Sequence, residues 1–176
     1  MMAGETQLGG RTNWVWAAPL IGCILLADQF TKHLVLTEPV FNALACLDRS
    51  NPCGRIELSG VFDLSMTWNR GVSFGALQAE GAARWVLFAV TLVIATGFSL
   101  WLHRAGRGLT AVSLALVVGG AAGNLIDRAR FGAVIDFLDF SGLYFPWVFN
   151  IADACISVGA GLLLLDQVLA GRKQDG

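Results

Sequence analysis

The chain has 176 residues, 55% of them hydrophobic and only 14% charged, with a net charge of −1 and a mean hydropathy of +0.62. A soluble domain carries about 25% charged residues; here the deficit is concentrated in long uncharged runs, which points to an integral membrane protein rather than a soluble or nucleic-acid-binding one. The four cysteines form no CxxC pair and the two histidines, His33 and His103, form no HExxH, so zinc-ribbon and zinc-protease chemistry have no obvious ligands.

The first apolar run, about residues 14–36, is long enough to cross a bilayer of roughly 30 Å. It is too long for the core of a cleaved signal peptide, and no A-x-A-like site follows it. It reads as a retained helix. Near its end Asp28 and Lys32 have the i, i+4 spacing of an ion pair. Interfacial snorkelling is the plain alternative, and it suits Lys32 better than Asp28.

Thr37 to Ala83 is a polar loop. In it Phe62, Leu64, Met66 and Trp68 alternate with Asp63, Ser65, Thr67 and Asn69, a period of two that predicts a strand. Ile56 and Leu58 supply a hairpin partner, and Asn69-Arg70-Gly71 reads as a turn. A small β region over about 55–75, lying on the membrane surface, satisfies both signals. Cys46 and Cys53 sit in the same loop, as a disulfide if this side is oxidising and as ordinary thiols otherwise. Cys23 and Cys155 fall in apolar runs and read as packing residues.

Further spans are expected over about 85–102, 109–127 and 145–166, giving a single membrane domain of four helices. With four spans, Arg11, the Arg104/Arg107 loop and Arg172/Lys173 share one side, which the positive-inside rule makes cytoplasmic, together with both termini. Arg128 and Arg130 count against that rule, although Arg128 has acidic neighbours able to hold it. The polar groups then gather on the outer face, His33 among them and His103 not; no GxSxG elbow supports a serine triad.

The densest chemistry lies in GGAAGNLIDRARFGAVIDFLDF, Gly119 to Phe140. Gly119 and Gly123 have the GxxxG spacing of close helix packing, and Asn124, Asp127 and Arg128 share a helix face. Asp127 is read first as the anchor of Arg128. Asp136 in GAVIDF and Asp153 in FNIAD have no cation beside them in sequence. Carboxylates among apolar residues at a membrane boundary mark a site by default. Two held close cannot both ionise, so one serves as acid and the other as base toward a water. The plain alternative is helix capping and pairing with Arg128 and Arg130; it accounts for Asp139 and accounts less well for Asp153. Asn150, at i−3, is placed to orient Asp153 or to bond a substrate backbone. The apolar run Phe131 to Phe145 is expected as an amphipathic lid at the interface, with Gly132 and Gly142 giving it freedom.

These segments, taken in order, resemble the lipoprotein signal peptidases (signal peptidase II, prolipoprotein signal peptidase). The likeness rests on Asp28, Gln29 and Lys32 (DQxxK), on Asn69, Gly71, Phe74 and Gly75 (NxGxxFG), and on Asn124, Asp127 and Arg128 (GNxxDR). Val134, Asp136 and Phe137 (VxDF) and Phe149, Asn150, Ala152 and Asp153 (FNxAD) complete it. The resemblance implies a four-helix membrane aspartyl endopeptidase with an extracytoplasmic β-cradle in the bacterial plasma membrane. Its substrates would be prolipoproteins whose cysteine carries diacylglycerol, cut just before that cysteine. Asp136 and Asp153 would be the catalytic dyad. Asn69, Gly71, Asn124, Arg128, Asn150, Asp28, Lys32 and Asp127 would bind substrate or support the site, with Asp127 behind Arg128. It implies no cofactor or metal, membrane lipid as a partner, and globomycin-type cyclic peptides as inhibitors. Phe41 to Arg55 is longer than the family's usual link. Two other classes are weighed: a CDP-alcohol phosphotransferase, whose acidic metal signature DRARFGAVIDFLD matches only in part, and a proton-relaying transporter, which would need polar groups across the whole membrane.

Overall fold

The computed structural model describes residues 9–44, 46–48, 53–71, 83–106 and 108–172. Phe74 and Gly75, the second half of the expected NxGxxFG turn, lie outside the described residues, as do Arg107 and Lys173. Among the described residues, four helices are long and apolar enough to cross a membrane: α1 (Gly9–Thr37), α3 (Ala83–Arg104), α4 (Leu109–Phe131) and α5 (Ile151–Arg172). A short α2 (Pro39–Ala43) follows α1. Four strands, β1 (Arg55–Glu57), β2 (Asp63–Asn69), β3 (Val134–Asp139) and β4 (Val148–Phe149), form one antiparallel sheet in sequence order. The chain is therefore an integral membrane protein, mainly helical, with one small sheet.

The α4 helix packs against α1 and α5, and glycine at two positions makes this possible. A Cβ at Gly120 would run into the Ala152 carbonyl of α5, and one at Gly123 would stand 2.5 Å from Asp28 Oδ2 on α1. Side chains meet along two cores. One, with Ala17, Leu102, Leu114, Val117 and Leu163, lies toward the starts of α1 and α4. The other, with Val35, Phe41, Cys46, Met66, Trp68, Ile135 and Phe137, fills the space under the sheet. Cys46 and Cys53 are joined as a disulfide, and the Cys46 carbonyl accepts the Trp68 Nε1–H at 2.8 Å, which ties the long loop to β2.

The hairpin expected from Ile56 and the alternation of Phe62 to Asn69 is β1–β2, with Arg55 facing Ser65 and Glu57 facing Asp63. Two segments differ from expectation. Phe131 to Phe145 is not a lid: α4 ends at Gly132, in the left-handed region at φ 72°, and the chain turns at once into β3, an inner strand between β2 and β4. Gly142 is not a hinge either, because a Cβ there would meet the Gly60 carbonyl and Val61. The last helix starts at Ile151 rather than near 145. Phe145 precedes a proline, which disfavours helical backbone, and Val148–Phe149 pair with the free edge of β3 instead.

Candidate active site

The site is built where β3, the end of α1, the second half of α4 and the start of α5 converge. The β3 strand alternates across its two faces: Ile135 and Phe137 join the core under the sheet, so Asp136 projects from the other side. Thr67 faces Asp136 across the β2–β3 ladder and Asn69 faces Val134, which puts Asn69 diagonal to Asp136 on the same face. Asn69 Oδ1 accepts the Gly71 N–H at 3.2 Å in a local turn, leaving Nδ2 to donate to Asp136 Oδ2 at 3.0 Å. Gly71 thus acts through its backbone.

Asp153 is delivered by the first turn of α5. Asn150 caps that helix: its Oδ1 accepts the Asp153 N–H at 2.9 Å, while Asp28 Oδ1 accepts the Ala152 N–H at 3.0 Å. Two of the N–H groups left open at any helix start are thereby satisfied. The same Asn150 donates through Nδ2 to Asp136 Oδ1 at 2.7 Å and to the Ile135 carbonyl at 3.2 Å. Asn124 on α4 donates through Nδ2 to Asp153 Oδ1 at 2.7 Å. A single side chain, Asn150, bridges Asp136 and the backbone of Asp153.

Behind the two aspartates lies a buried ionic cluster. Lys32 is 2% exposed. Its Nζ stands 2.8 Å from Asp28 Oδ2 and 2.7 Å from Asp127 Oδ2, and it donates to Asn124 Oδ1 at 3.2 Å. The expected Asp28–Lys32 pair is present, and the snorkelling alternative for Lys32 is overturned, because the ammonium is buried among inward partners. The expectation for Asp127 is also corrected. Its Oδ2 is occupied by Lys32 and the Ile135 N–H (3.2 Å) and its Oδ1 by Gln29 Nε2 (3.0 Å), with no ion pair to Arg128. Adjacent residues on a helix point about 100° apart, so Arg128 turns elsewhere. It is half-buried and feels the charges of Asp153, Asp136 and Asp127.

Gln29 is the supporting residue that motif reading quoted without giving it a role. It bonds Asp28, the Gly123 carbonyl and Asp127, and its Oε1 accepts from Arg130 at 3.4 Å. Its position between Asp28 and Lys32 was the available signal. His33 is exposed, and so falls away as a candidate base. Asp139 stands apart, accepting from Ser65 Oγ at 2.6 Å and from the Ser141 N–H at 2.9 Å, with Arg55 nearby at 3.8 Å.

The environments of Asp136 and Asp139 diverge accordingly. Burial, and then the negative charge of Asp153, push the Asp136 carboxyl up to about 7, against the opposing pull of the Asn69 and Asn150 amides. Burial also works to raise Asp139, but the bonds from Ser65 and Ser141 hold it below the ordinary carboxylate range. Neither Asp136 nor Asp153 forms an ion pair with a described lysine or arginine. Two interacting carboxyls of this kind titrate as a unit rather than singly. That is the equipment for general acid–base work on a water. A cavity of about 350 Å³ lies elsewhere, between α1 and the start of α4, lined by apolar groups such as Trp16, Leu20 and Ala115; it offers no chemistry.

The family pattern described as signal peptidase (SPase) II matches residues 20–169. A lipoprotein signal peptidase of Caulobacter vibrioides is 42% identical over 161 residues, covering 91% of this chain and 90% of that protein. Another, from Brevibacillus brevis, is 41% identical over 161 residues, covering 90% and 99%. Two solved structures, each described as a bacterial membrane enzyme, share the fold. They have TM-scores of 0.71 and 0.68 at 21% and 24% identity, covering 96% and 86% of this chain and 93% and 91% of theirs.

Proposed function

From the premise that the chain belongs to the signal peptidase II family, whose work is removal of signal peptides from prolipoproteins, we propose that it is an aspartyl endopeptidase acting through Asp136 and Asp153. Its substrates are prolipoproteins whose cysteine already carries diacylglycerol, and the bond cut is the one just before that cysteine. The observation that carries this reading is the Asn150 bridge, with its Nδ2 on Asp136 and its Oδ1 on the Asp153 N–H, between a buried and a half-buried acid that form no ion pair among the described residues.

In the reaction, the ionised aspartate takes a proton from water as the water oxygen attacks the amide carbonyl, and the protonated aspartate gives its proton to the carbonyl oxygen. As the tetrahedral gem-diol collapses, the aspartate that took the water's proton gives it to the leaving nitrogen, the C–N bond breaks, and a diol hydroxyl returns its proton to the other aspartate as the new carboxyl forms. The dyad ends with one proton, as it began. Asn69, Asn124 and Asn150 hold the carboxylates in place, while Asp28, Lys32 and Asp127 hold Asn124 and the start of α5. Arg128, half-buried within the field of the same acids, is assigned to positioning substrate.

On this reading the protein spans the bacterial plasma membrane with both termini cytoplasmic and the sheet outside; the four long apolar helices support the span, and the distribution of basic residues supports the orientation. A lipid-anchored substrate then meets the aspartates at the outer boundary. Purified protein incubated with a diacylated prolipoprotein should release the signal peptide equally with and without EDTA, and a globomycin-type cyclic peptide should block release. Loss of cleavage in EDTA would replace the dyad with a metal mechanism.

A further inference from the structure

We propose that Gly142 to Trp147 is an interfacial anchor, inserted into the headgroup layer of the phospholipid bilayer, that fixes the height of Asp136 and Asp153 relative to the lipid. The ten residues FSGLYFPWVF, Phe140 to Phe149, carry no charge. Six in succession, Gly142 to Trp147, are exposed, with Leu143 at 58%, Tyr144 at 98% and Trp147 at 50%. Tyr144 is held in the left-handed region at φ 60°, alone among the described non-glycine residues. A strained backbone that presents an aromatic ring to the outside points to use of that ring.

The loop is braced. Phe140 stacks on Phe149 at 5.7 Å, Phe145 meets Phe149 edge-on at 5.8 Å, and Phe62 of the neighbouring hairpin lies 4.9 Å from Phe140. The close approach of Gly142 to Gly60 locks the two loops together, so exposed Leu58 and Val61 extend the same apolar surface.

Lipid is the occupant the position favours. Trp147 is four residues before Ile151, where a membrane-spanning helix begins, and four extended residues reach no farther than about 14 Å. The polar layer of one leaflet is itself roughly 5–7 Å deep. Trp and Tyr are the residues that settle there, and an uncharged surface has nothing with which to select a charged protein partner. The anchor is wired to both acids, because β4 pairs with β3 through Leu138–Phe149 and runs directly into α5. The height-setting role rests on the proposed dyad; the insertion itself does not.

Nitroxide labels on Tyr144→Cys and Trp147→Cys, with Cys23 and Cys155 replaced by alanine, are read in vesicles of phosphatidylethanolamine and phosphatidylglycerol. Collision with oxygen is compared with collision with a water-soluble nickel chelate, taking Val93→Cys on the lipid-facing side of α3 and Glu57→Cys on β1 as references. The anchor predicts oxygen-favoured values approaching those of Val93. Values matching Glu57 would overturn it, whether water or a protein partner covers the loop. This readout involves no cleavage, so it stands even if wild-type protein cuts nothing. Where it does cut, Tyr144→Glu combined with Trp147→Glu should slow cleavage in vesicles and not in detergent micelles; equal rates in vesicles would remove the height-setting role.

Discussion

Two pairs of carboxylates, all buried except the half-buried Asp153, lie on either side of Asn124, and they differ in what they are bonded to. Asp28 and Asp127 close on the Lys32 ammonium and on the N–H groups of Ala152 and Ile135. Asp136 and Asp153 receive the amides of Asn69, Asn124 and Asn150. An ammonium neutralises a buried charge, whereas an amide orients it and leaves it to find a proton. The pair held by Lys32 also disciplines the other. With Lys32 donating to Asn124 Oδ1, the Asn124 Nδ2 is turned toward Asp153.

The comparison is broken most severely by Asp136→Asn or Asp153→Asn. Each should cut the cleavage rate by about 10²–10⁴-fold, the range expected for loss of general acid–base catalysis, while helical circular dichroism and membrane insertion stay as in wild type. Activity surviving in either variant would dismantle the dyad. Lys32→Met strands two carboxylates and should cost about 3–5 kcal/mol of stability, read by thermal unfolding in detergent. Lys32→Arg should recover part of that loss; equal losses would show that packing, not charge, is at stake.

Changing pH separates the pairs more gently. Cleavage should fall as pH rises through about 7, where Asp136 loses its raised hold on the shared proton. Stability follows the same sign. The folded protein binds this proton up to about 7 and the unfolded chain only to about 3.8, so the contribution is complete below the lower value and lost as pH rises through the upper. Tm should therefore decline from acid to alkaline pH, with a flatter slope in Asp136→Asn. The smallest effect is expected of Asp139→Asn, which should lose about 1 kcal/mol of hydrogen bonding and keep its cleavage rate.

Much of this arrangement could be read from residue spacing. The Asp28–Lys32 pair, the hairpin at Ile56 and Met66, and the close packing at Gly119 to Gly123 are local, and local patterns survive in sequence. The partner of Asp127 was hidden because Lys32 lies 95 positions earlier, while Arg128 is adjacent and points elsewhere. The β3 strand was hidden for another reason. Buried on both faces, it shows an apolar run rather than alternation, and such a run suits lid, helix or strand alike. Phe145 to Phe149 likewise looked like more of the last helix until Pro146 and the open edge of β3 decided otherwise.

Asn150 leaves little mechanical freedom. Its one flat amide grips the strand bearing Asp136 with its nitrogen and the helix bearing Asp153 with its oxygen, so the two acids travel as a rigid unit. Any opening that admits a bulky lipidated chain must come from parts that do not carry them, and a shortened or lengthened side chain at 150 would uncouple strand from helix before it disturbed either alone.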